Sequence, residues 1–456
     1  MELQSDKKQV IREIARGTGF LSSGEAVAKA FSLLGFVLLL RSLSVAEYGT
    51  YRLVFAVYGA LYVFTVSGVN SFLQPDLARE LREGARGSVR ALFRDFIFLK
   101  LATGLVLFGI ALFGAQVIEG LYSARIALYL RVISPLFVIS TLTEIARMGL
   151  AVDRRFGSLS LHNVSGSITK FILIGALVWY GNFGVLGAVI ASAGAMLVPL
   201  VLILPAFFRT QLMNISEISS EAHPLWRFIR AHGKWAIIDS YFNGLGRNLA
   251  PLVIKAVAGT EAVAVYGVAD SIVTQASSLS ALKAVLIPIV PREIDHPEHA
   301  AKILSKGAKY SIAFNILEGV ALAVGLPFLI VYGFPHYAPY IRLFQWALLA
   351  LIPLALGGLL TAYLFALRMQ REQFVLTTGQ TVAEALLLAI WGSLLGMPGL
   401  IVAYVVVAVA YQGARLWVVF RRRPDLTFSF RDIAAFDAFD RFLLGKMGER
   451  VKTMLR

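Results

Sequence analysis

Blocks of about twenty apolar residues recur along this chain and are separated by short loops, many of them basic. A bilayer core about 30 Å thick requires a helical block of that length to cross it. Hydrophobic residues make up 57% of the 456 residues and charged residues only 16%, which leaves too little polar surface for a soluble protein of this size. The pattern therefore predicts an all-α polytopic membrane protein.

The positions of the apolar blocks predict about twelve transmembrane helices. They fall near residues 19–40, 48–70, 96–117, 126–149, 158–180, 185–207, 235–258, 263–289, 310–332, 338–366, 373–395 and 399–420. A long polar interruption divides them into two sets of six. We therefore predict an N-terminal six-helix bundle over 1–208, a cytoplasmic linker over 209–234, a C-terminal six-helix bundle over 235–420 and a basic amphipathic cytoplasmic tail over 421–456.

Basic residues concentrate in alternate loops. The loop after the second predicted helix carries Arg79, Arg82, Arg86, Arg90 and Arg94, whereas the loops of the opposite side hold little beyond Arg41 and Arg125. By the positive-inside rule, both termini lie in the cytoplasm, and we expect a bacterial inner-membrane protein. The net charge of +15 thus reflects orientation, and we expect no nucleic-acid partner.

The two halves resemble each other at a spacing of about 218 residues. Tyr48-Gly49 corresponds to Tyr266-Gly267, and Lys29 corresponds to Arg247. Because six helices return the chain to the side on which it started, both halves have the same orientation. This parallel repeat predicts two pseudo-symmetric bundles around a central cavity, with the substrate site between them.

Cations outnumber carboxylates inside the predicted helices. A charge at mid-bilayer costs at least ~2.5–3.5 kcal/mol, so these side chains need partners, water or an exit to the interface. The repeat matches Lys29 with Arg247 and Arg131 with Arg342, which indicates a cavity that binds an anionic substrate. Arg131 and Arg342 lie closer to helix ends, where snorkelling explains them equally well. Snorkelling is also the simplest interpretation of Arg147, Lys255 and Arg415.

Four carboxylates in predicted helices are candidates for coupling transport to Na⁺ or H⁺. They are Glu25, Asp239, Asp270 and Glu318. Neutralisation of a neighbouring cation is the alternative for each of them. Asp270 occupies the repeat position of Arg52, so we predict that these two side chains pair.

Enzyme and metal motifs are absent from the sequence. The chain has no cysteine, and it contains no phosphate loop, HExxH or GxSxG motif. His296 and His299 are separated by a proline in a loop, which does not suit a metal site. We therefore expect no catalytic residue, no metal site and no cofactor beyond a coupling ion.

Short stretches of the chain resemble a known family of exporters. They are Arg16–Phe20, Leu40–Ser44, Val45–Tyr51, Ser67–Val69, Leu77–Glu80, Ala151–Phe156 and Gly184–Ala188. Together they are similar to polysaccharide flippases of the Wzx type, in the multidrug/oligosaccharidyl-lipid/polysaccharide (MOP) exporter superfamily. The resemblance implies two six-helix bundles whose central cavity opens alternately to each side.

The resemblance also implies a substrate. Wzx-type flippases move undecaprenyl-pyrophosphate-linked oligosaccharides from the cytoplasmic to the periplasmic leaflet for surface polysaccharide biosynthesis. Membrane lipids and that glycan are then the partners, the polysaccharide polymerase and export machinery are candidate protein partners, and we expect a monomer. The alternatives are an ion-coupled drug or small-solute antiporter of the same superfamily, and a membrane-embedded polymerase or ligase. Lipid II flippases carry two further helices, which disfavours lipid II as the cargo.

Overall fold

The computed structural model describes residues 23–65, 68–121, 124–214, 225–226, 229, 234–278, 290, 297–367 and 369–426. Every regular element in these residues is helical, as the apolar blocks predict. The N-terminal basic segment, most of the predicted linker and the tail beyond residue 426 lie outside the described residues.

The described part of the first sequence half contains nine helices. They are α1 Ser23–Ser42, α2 Val45–Tyr62, α3 Val69–Arg82, α4 Arg86–Leu121, α5 Ala124–Ile133, α6 Leu136–Val152, α7 Phe156–Leu173, α8 Gly184–Phe208 and α9 Gln211–Asn214. A 3₁₀ turn, Val63–Thr65, follows α2, and α7 continues as a π-helix over Ile174–Tyr180. Helix α2 begins at a capping box, in which Ser44 and Glu47 each bond the backbone amide of the other.

The described second half contains seven helices. They are α10 Lys234–Ser277, α11 Pro297–Gly333, α12 Ile341–Ala347, α13 Leu351–Leu354, α14 Gly357–Ala366, α15 Gln370–Leu395 and α16 Met397–Arg422. The 3₁₀ turns Pro335–Tyr340 and Leu348–Ala350 flank α12, and Pro424–Leu426 follows α16.

Ten helical stretches in the described residues are long and apolar enough to cross a membrane. Two features raise this number to the predicted twelve or so. Helix α2 is a further apolar helix of 18 residues. The 44 residues of α10 would extend about 66 Å as one helix, twice the bilayer core. They are divided at Gly259, whose φ of 87° suits glycine because it lacks a Cβ.

The predicted helix ends were wrong at two places. The expected basic loop after the second span is helical: it forms α3 and the first turns of α4. Helix α11 likewise begins at Pro297, well before the predicted start at residue 310. Both extensions are amphipathic. Val69, Leu73 and Leu77 of α3 are fully buried against α4, α6 and α8, so packing stabilises a helix that hydropathy does not mark.

The described chain divides into two compact units. The first takes in Met1–Ser271, Val324–Ala347 and Thr377–Tyr404, and the second takes in Ile272–Ala323, Leu348–Leu376 and Val405–Arg456. The first unit has an apolar core built on α3, α4, α6 and α8. The second has a core in which α11, α14 and α16 contribute Leu304, Leu360 and Val419. The two compact units do not follow the sequence halves. The six-helix bundles over 1–208 and 235–420 and the linker over 209–234 therefore stay predictions.

Glycines let α2 lie close along α10 within the first unit. A Cβ added at Gly49 would lie 2.1 Å from the carbonyl oxygen of Thr260, and one added at Gly59 would lie 2.1 Å from Asn248 Oδ1. Small residues at such positions allow membrane helices to approach through their backbones. This packing places the charged side chain of Arg52 against α10.

Candidate functional site

A polar cavity lies between α1, α2, α7 and α8, inside the first unit. Its volume is about 370 Å³. It is lined by Phe31, Ser32, Gly35, Tyr51, Phe55, His162, Asn163, Gly166, Ser167, Lys170, Ser192, Ala195 and Met196. Lysine and histidine are present in this lining, and none of the described residues that line the cavity is acidic.

Helix α7 supplies the polar wall of the cavity. His162, Gly166 and Lys170 are spaced four residues apart, as are Asn163 and Ser167, so they share one face of the helix. Gly166 lets that face approach α8, because an added Cβ would lie only 3.2 Å from the Ala195 carbonyl oxygen. The wall is therefore held in place by helix packing.

Hydrogen bonds fix the groups opposite this wall. The hydroxyls of Tyr51 and Ser192 lie 2.9 Å apart, and Ser192 Oγ donates to the Ala188 carbonyl oxygen. The Tyr51 ring packs 4.8 Å from that of Phe55, which provides an aromatic surface beside the polar groups. His162 Nδ1 is buried and forms no hydrogen bond with the described residues. Hydroxyls, an amide, an imidazole and an ammonium group thus converge on a space next to aromatic rings.

The four predicted anion-binding cations do not line this cavity. Lys29 is exposed on α1, one turn before the lining residue Ser32, and is therefore adjacent to the cavity. Arg131 is half-buried at the end of α5, while Arg247 on α10 and Arg342 on α12 are exposed. Arg247 Nε donates to its own helix at the Asn243 carbonyl oxygen, 3.3 Å away. None of the three arginines forms an ion pair with a described carboxylate, and their role as an anion site stays a prediction.

The predicted carboxylates have four different surroundings. Glu25 is exposed on α1. Asp239 lies in α10, but its side chain is outside the described set. Asp270 lies 3.7 Å from Arg52 Nη2, which is the predicted pair between repeat positions. Both carboxylate oxygens of Glu318 are buried without a hydrogen-bond donor among the described residues.

The Arg52–Asp270 pair is part of a larger polar cluster. Tyr266, one turn before Asp270, donates its hydroxyl to Glu384 Oε1 at 3.0 Å. The cluster joins α2, α10 and α15, and its carboxylates are neutralised or hydrogen-bonded by neighbours. The sequence analysis did not single out Glu384, because a partner 118 residues away leaves no local signal.

Two further buried cations have structural partners. Lys100 on α4 is fully buried and pairs with Glu144 on α6, which also accepts a hydrogen bond from Asn70 at 3.0 Å. The interpretation of Arg415 as a snorkelling side chain was wrong. Arg415 is 3% exposed and donates to the Gly357 carbonyl oxygen and to the Thr361 hydroxyl, because α14 packs over it.

Sequence reasoning missed most of the cavity because it followed charged residues alone. The sequence analysis did not single out Lys170 among the intramembrane cations, and it gave no weight to the hydroxyl and amide groups. The signal was nevertheless present: His162, Asn163, Ser167 and Lys170 form a polar stripe on an otherwise apolar helix. The described residues contain no group of three or more His, Asp or Glu side chains placed to hold a metal ion.

Comparison with known proteins identifies the fold and the family. Residues 14–293 match the polysaccharide biosynthesis protein family. Comparison with curated protein sequences finds no match. Among solved structures, an inward-facing multidrug resistance MATE family transporter of the MOP superfamily is similar with a TM-score of 0.75 at 15% identity, over 87% of this chain and 95% of that one.

Two other solved structures have the same architecture. The lipid II flippase MurJ, in an inward closed conformation, gives a TM-score of 0.70 at 13% identity, over 91% of this chain and 89% of that one. A MOP superfamily transporter from Pyrococcus furiosus, for which a reversed polarity of the binding pocket suggests a different function, gives 0.64 at 15% identity, over 91% and 96% of the two chains. At these identities the likeness shows the fold, and it confirms the predicted fold class.

The family match covers more than half of the chain, and the solved structures cover most of it. The three solved structures are two transporters and a flippase, and the apolar helices make this chain a multi-pass membrane protein. It belongs to the polysaccharide biosynthesis protein family and has the fold of the MOP superfamily of transporters and flippases.

Proposed function

We propose that this protein flips an undecaprenyl-pyrophosphate-linked oligosaccharide from the cytoplasmic to the periplasmic leaflet, by alternating access. Membership of the polysaccharide biosynthesis protein family supports a glycan cargo. The similarity to a lipid II flippase supports a fold able to move a lipid-linked substrate. The prenyl tail would stay in lipid while the polar head group crosses through the protein.

The observation that carries the proposal is the polar cavity around Lys170. Its described lining combines one ammonium group with hydroxyl, amide and aromatic groups and contains no carboxylate. An ammonium group binds phosphate oxygens through charge-assisted hydrogen bonds, and hydroxyls and aromatic faces suit sugar rings. A volume of about 370 Å³ is at the small end of ligand pockets, so the cavity would hold the pyrophosphate or a single sugar, not a whole oligosaccharide.

The four predicted anion-binding cations would extend the site beyond the cavity. Lys29 lies one turn from Ser32, so the two lysines of α1 and α7 would contact neighbouring parts of one anionic head group. The sequence analysis predicted that Arg131, Arg247 and Arg342 bind the anionic substrate in a cavity. We propose instead that they attract the head group along its route. Their lack of described carboxylate partners supports this role.

The antiporter alternative has weaker support. A transporter of cationic drugs would present free carboxylates to its ligand. Here Asp270 already pairs with Arg52, and Glu384 accepts a hydrogen bond from Tyr266. The cavity lining offers no carboxylate among the described residues, so an anionic ligand fits better.

We also propose the cellular setting that this activity requires. The protein would act as a monomer in the bacterial inner membrane with both termini in the cytoplasm, and would deliver its cargo to the polysaccharide polymerase and export machinery. Transport against a gradient of the lipid-linked glycan would need coupling to H⁺ or Na⁺.

A flipping assay tests the proposal directly. Purified protein is reconstituted in liposomes with a fluorescent undecaprenyl-pyrophosphate disaccharide, and a membrane-impermeant quencher reports the fraction in each leaflet. Loss of a hydrogen bond to a charged group costs about 1.5–3 kcal/mol, so Lys170→Gln should slow flipping roughly 10- to 100-fold. Lys255→Gln is the matched control. Lys255 Nζ donates a hydrogen bond of 2.6 Å to Thr260 Oγ1, and neither residue lines the cavity.

Two outcomes would contradict the proposal. Equal flipping rates for Lys170→Gln and the control would exclude the cavity as the head-group site. Failure of the wild-type protein to move the pyrophosphate lipid, together with transport of a cationic dye, would favour the antiporter. Lys29→Ala and Arg247→Ala test the predicted anion site separately, and wild-type flipping in both would exclude it.

A further inference from the structure

Three buried oxygen atoms without hydrogen-bond donors lie on adjacent turns of α11. They are both carboxylate oxygens of Glu318 and the Oδ1 atom of Asn315, none of which accepts a hydrogen bond from a described residue. Asn315 is only 2% exposed. Because residues three apart are neighbours on a helix surface, these oxygens lie on one face of α11.

A break in the neighbouring membrane span is hydrogen-bonded to Asn315. Between α12 and α14 the chain passes through the 3₁₀ turn Leu348–Ala350 and the single-turn helix α13 before α14 begins at Gly357. Pro353 has no amide hydrogen, so it cannot donate to the turn before it. Asn315 Nδ2 donates to the Leu351 carbonyl oxygen at 2.8 Å, which joins α11 to the break. Both segments belong to the second compact unit.

Irregular backbone at membrane depth is tolerated where protein buries it or where it lines a site. In transporters, unwound backbone carbonyls near mid-membrane commonly coordinate Na⁺ or accompany a protonatable side chain. Glu318 lies about 12 Å along α11 from residue 310, where the predicted span begins, so it is well inside that predicted span. The predicted span thus contains a carboxylate, and the next span contains irregular backbone. Each of these features is typical of a functional site in a membrane protein.

A bare carboxylate in these surroundings is unfavourable. With no donor on either oxygen, the ionised form is stable only if a cation compensates it; otherwise it takes up a proton. Arg415 lies beside the helix that follows the break, where its guanidinium is bonded to Gly357, Thr361 and Gln412. It forms no ion pair with Glu318 in the described part of the chain. Both oxygens of the Glu318 carboxylate can therefore accept an added cation.

We propose that Glu318, Asn315 and the broken segment Leu348–Leu356 form a binding site for a monovalent cation, H⁺ or Na⁺. The three free oxygens provide the ligands or the proton acceptor, and the amide of Asn315 holds them against the break. Cation occupancy would then alter the packing of α11 on the broken span. Its use as the coupling ion of transport rests on the flippase proposal, whereas cation binding itself does not.

Cation binding is measured on the purified full-length protein in lipid nanodiscs, without any glycan lipid. Equilibrium binding of radioactive ²²Na⁺ and the infrared band of protonated carboxyl groups are recorded for the wild type, Glu318→Gln and Asn315→Ala. Glu372→Gln is the matched control, because that carboxylate pairs with Arg422 at the start of α15. A sodium site predicts saturable binding that is abolished by Glu318→Gln, weakened at least tenfold by Asn315→Ala and kept by the control.

A proton site predicts a different pattern. The wild type and the control then show a protonated-carboxyl band near neutral pH that Glu318→Gln lacks, with no saturable Na⁺ binding. The proposal is overturned if Glu318→Gln retains the wild-type Na⁺ binding, or if the wild type shows neither signal. The second outcome needs no variant, so it decides the matter even if Glu318→Gln does not fold. Because no glycan lipid is present, either result would contradict the cation site without contradicting the proposed flippase activity.

Discussion

The buried pair of Lys100 and Glu144 allows a quantitative prediction about folding. The lysine side chain is 0% exposed and the glutamate side chain 23% exposed. Replacing Glu144 with leucine strands an ammonium group with no access to water, which should cost ~3–5 kcal/mol of unfolding free energy. The Phe96 ring, 5.8 Å from the ammonium nitrogen, offsets only a small part of this cost.

Removing the lysine instead should cost less. In Lys100→Met the carboxylate of Glu144 still accepts a hydrogen bond from Asn70, and its side chain is 23% exposed rather than fully buried. We therefore expect a loss of about 1–3 kcal/mol. The double variant Lys100→Met/Glu144→Leu leaves no uncompensated charge, and it should fall within ~1 kcal/mol of the wild type.

Equilibrium unfolding in mixed detergent micelles, followed by tryptophan fluorescence, gives the three free energies and their coupling. The exposed pair of Arg79 and Asp76, 2.9 Å apart, is the control, and its coupling should not exceed ~1 kcal/mol. The reasoning fails if Glu144→Leu costs no more than Lys100→Met. It also fails if the double variant costs the sum of the two single ones, because the pair would then contribute no coupling.

Two further predictions concern the contact between α2 and α10. Gly49→Ala should destabilise the protein by ~1–3 kcal/mol, because the new Cβ meets the Thr260 backbone. Gly109→Ala, in open space on α4, should be neutral or stabilising. Thermal unfolding in detergent compares the two variants, and equal effects would contradict the packing. Arg52→Gln combined with Asp270→Asn should cost less than either single change, by at most ~1 kcal/mol because both side chains are partly exposed; additive costs in the same assay would show that the ion pair is not formed.

The fold could be predicted from the sequence because the membrane imposes a length on every spanning helix. Apolar blocks gave about twelve spans, and the structure has helices at each described position. The repeat also predicted one contact across the two halves, between Arg52 and Asp270, because equivalent positions in a parallel repeat meet near the symmetry axis. Hydropathy could not predict α3 or the start of α11, since these amphipathic segments become helical by packing.

The candidate site was predicted less well. Lys170 is visible in the sequence as a charge, but nothing local shows that α1, α2 and α8 enclose it with hydroxyl and aromatic groups. The fates of other charges were equally invisible. Glu144 pairs with a lysine 44 residues earlier in the chain, and Glu318 receives no donor at all among the described residues.

The sequence by itself determined that the chain spans a membrane many times, and it predicted a duplicated unit whose helices carry excess positive charge. Those properties follow from transfer free energy and chain periodicity, which act on each segment independently. Only the tertiary structure decided which charges are neutralised, which remain available and where the cavity lies. A charge in a low-dielectric interior is governed by partners within a few ångströms, and helix packing alone brings those partners together.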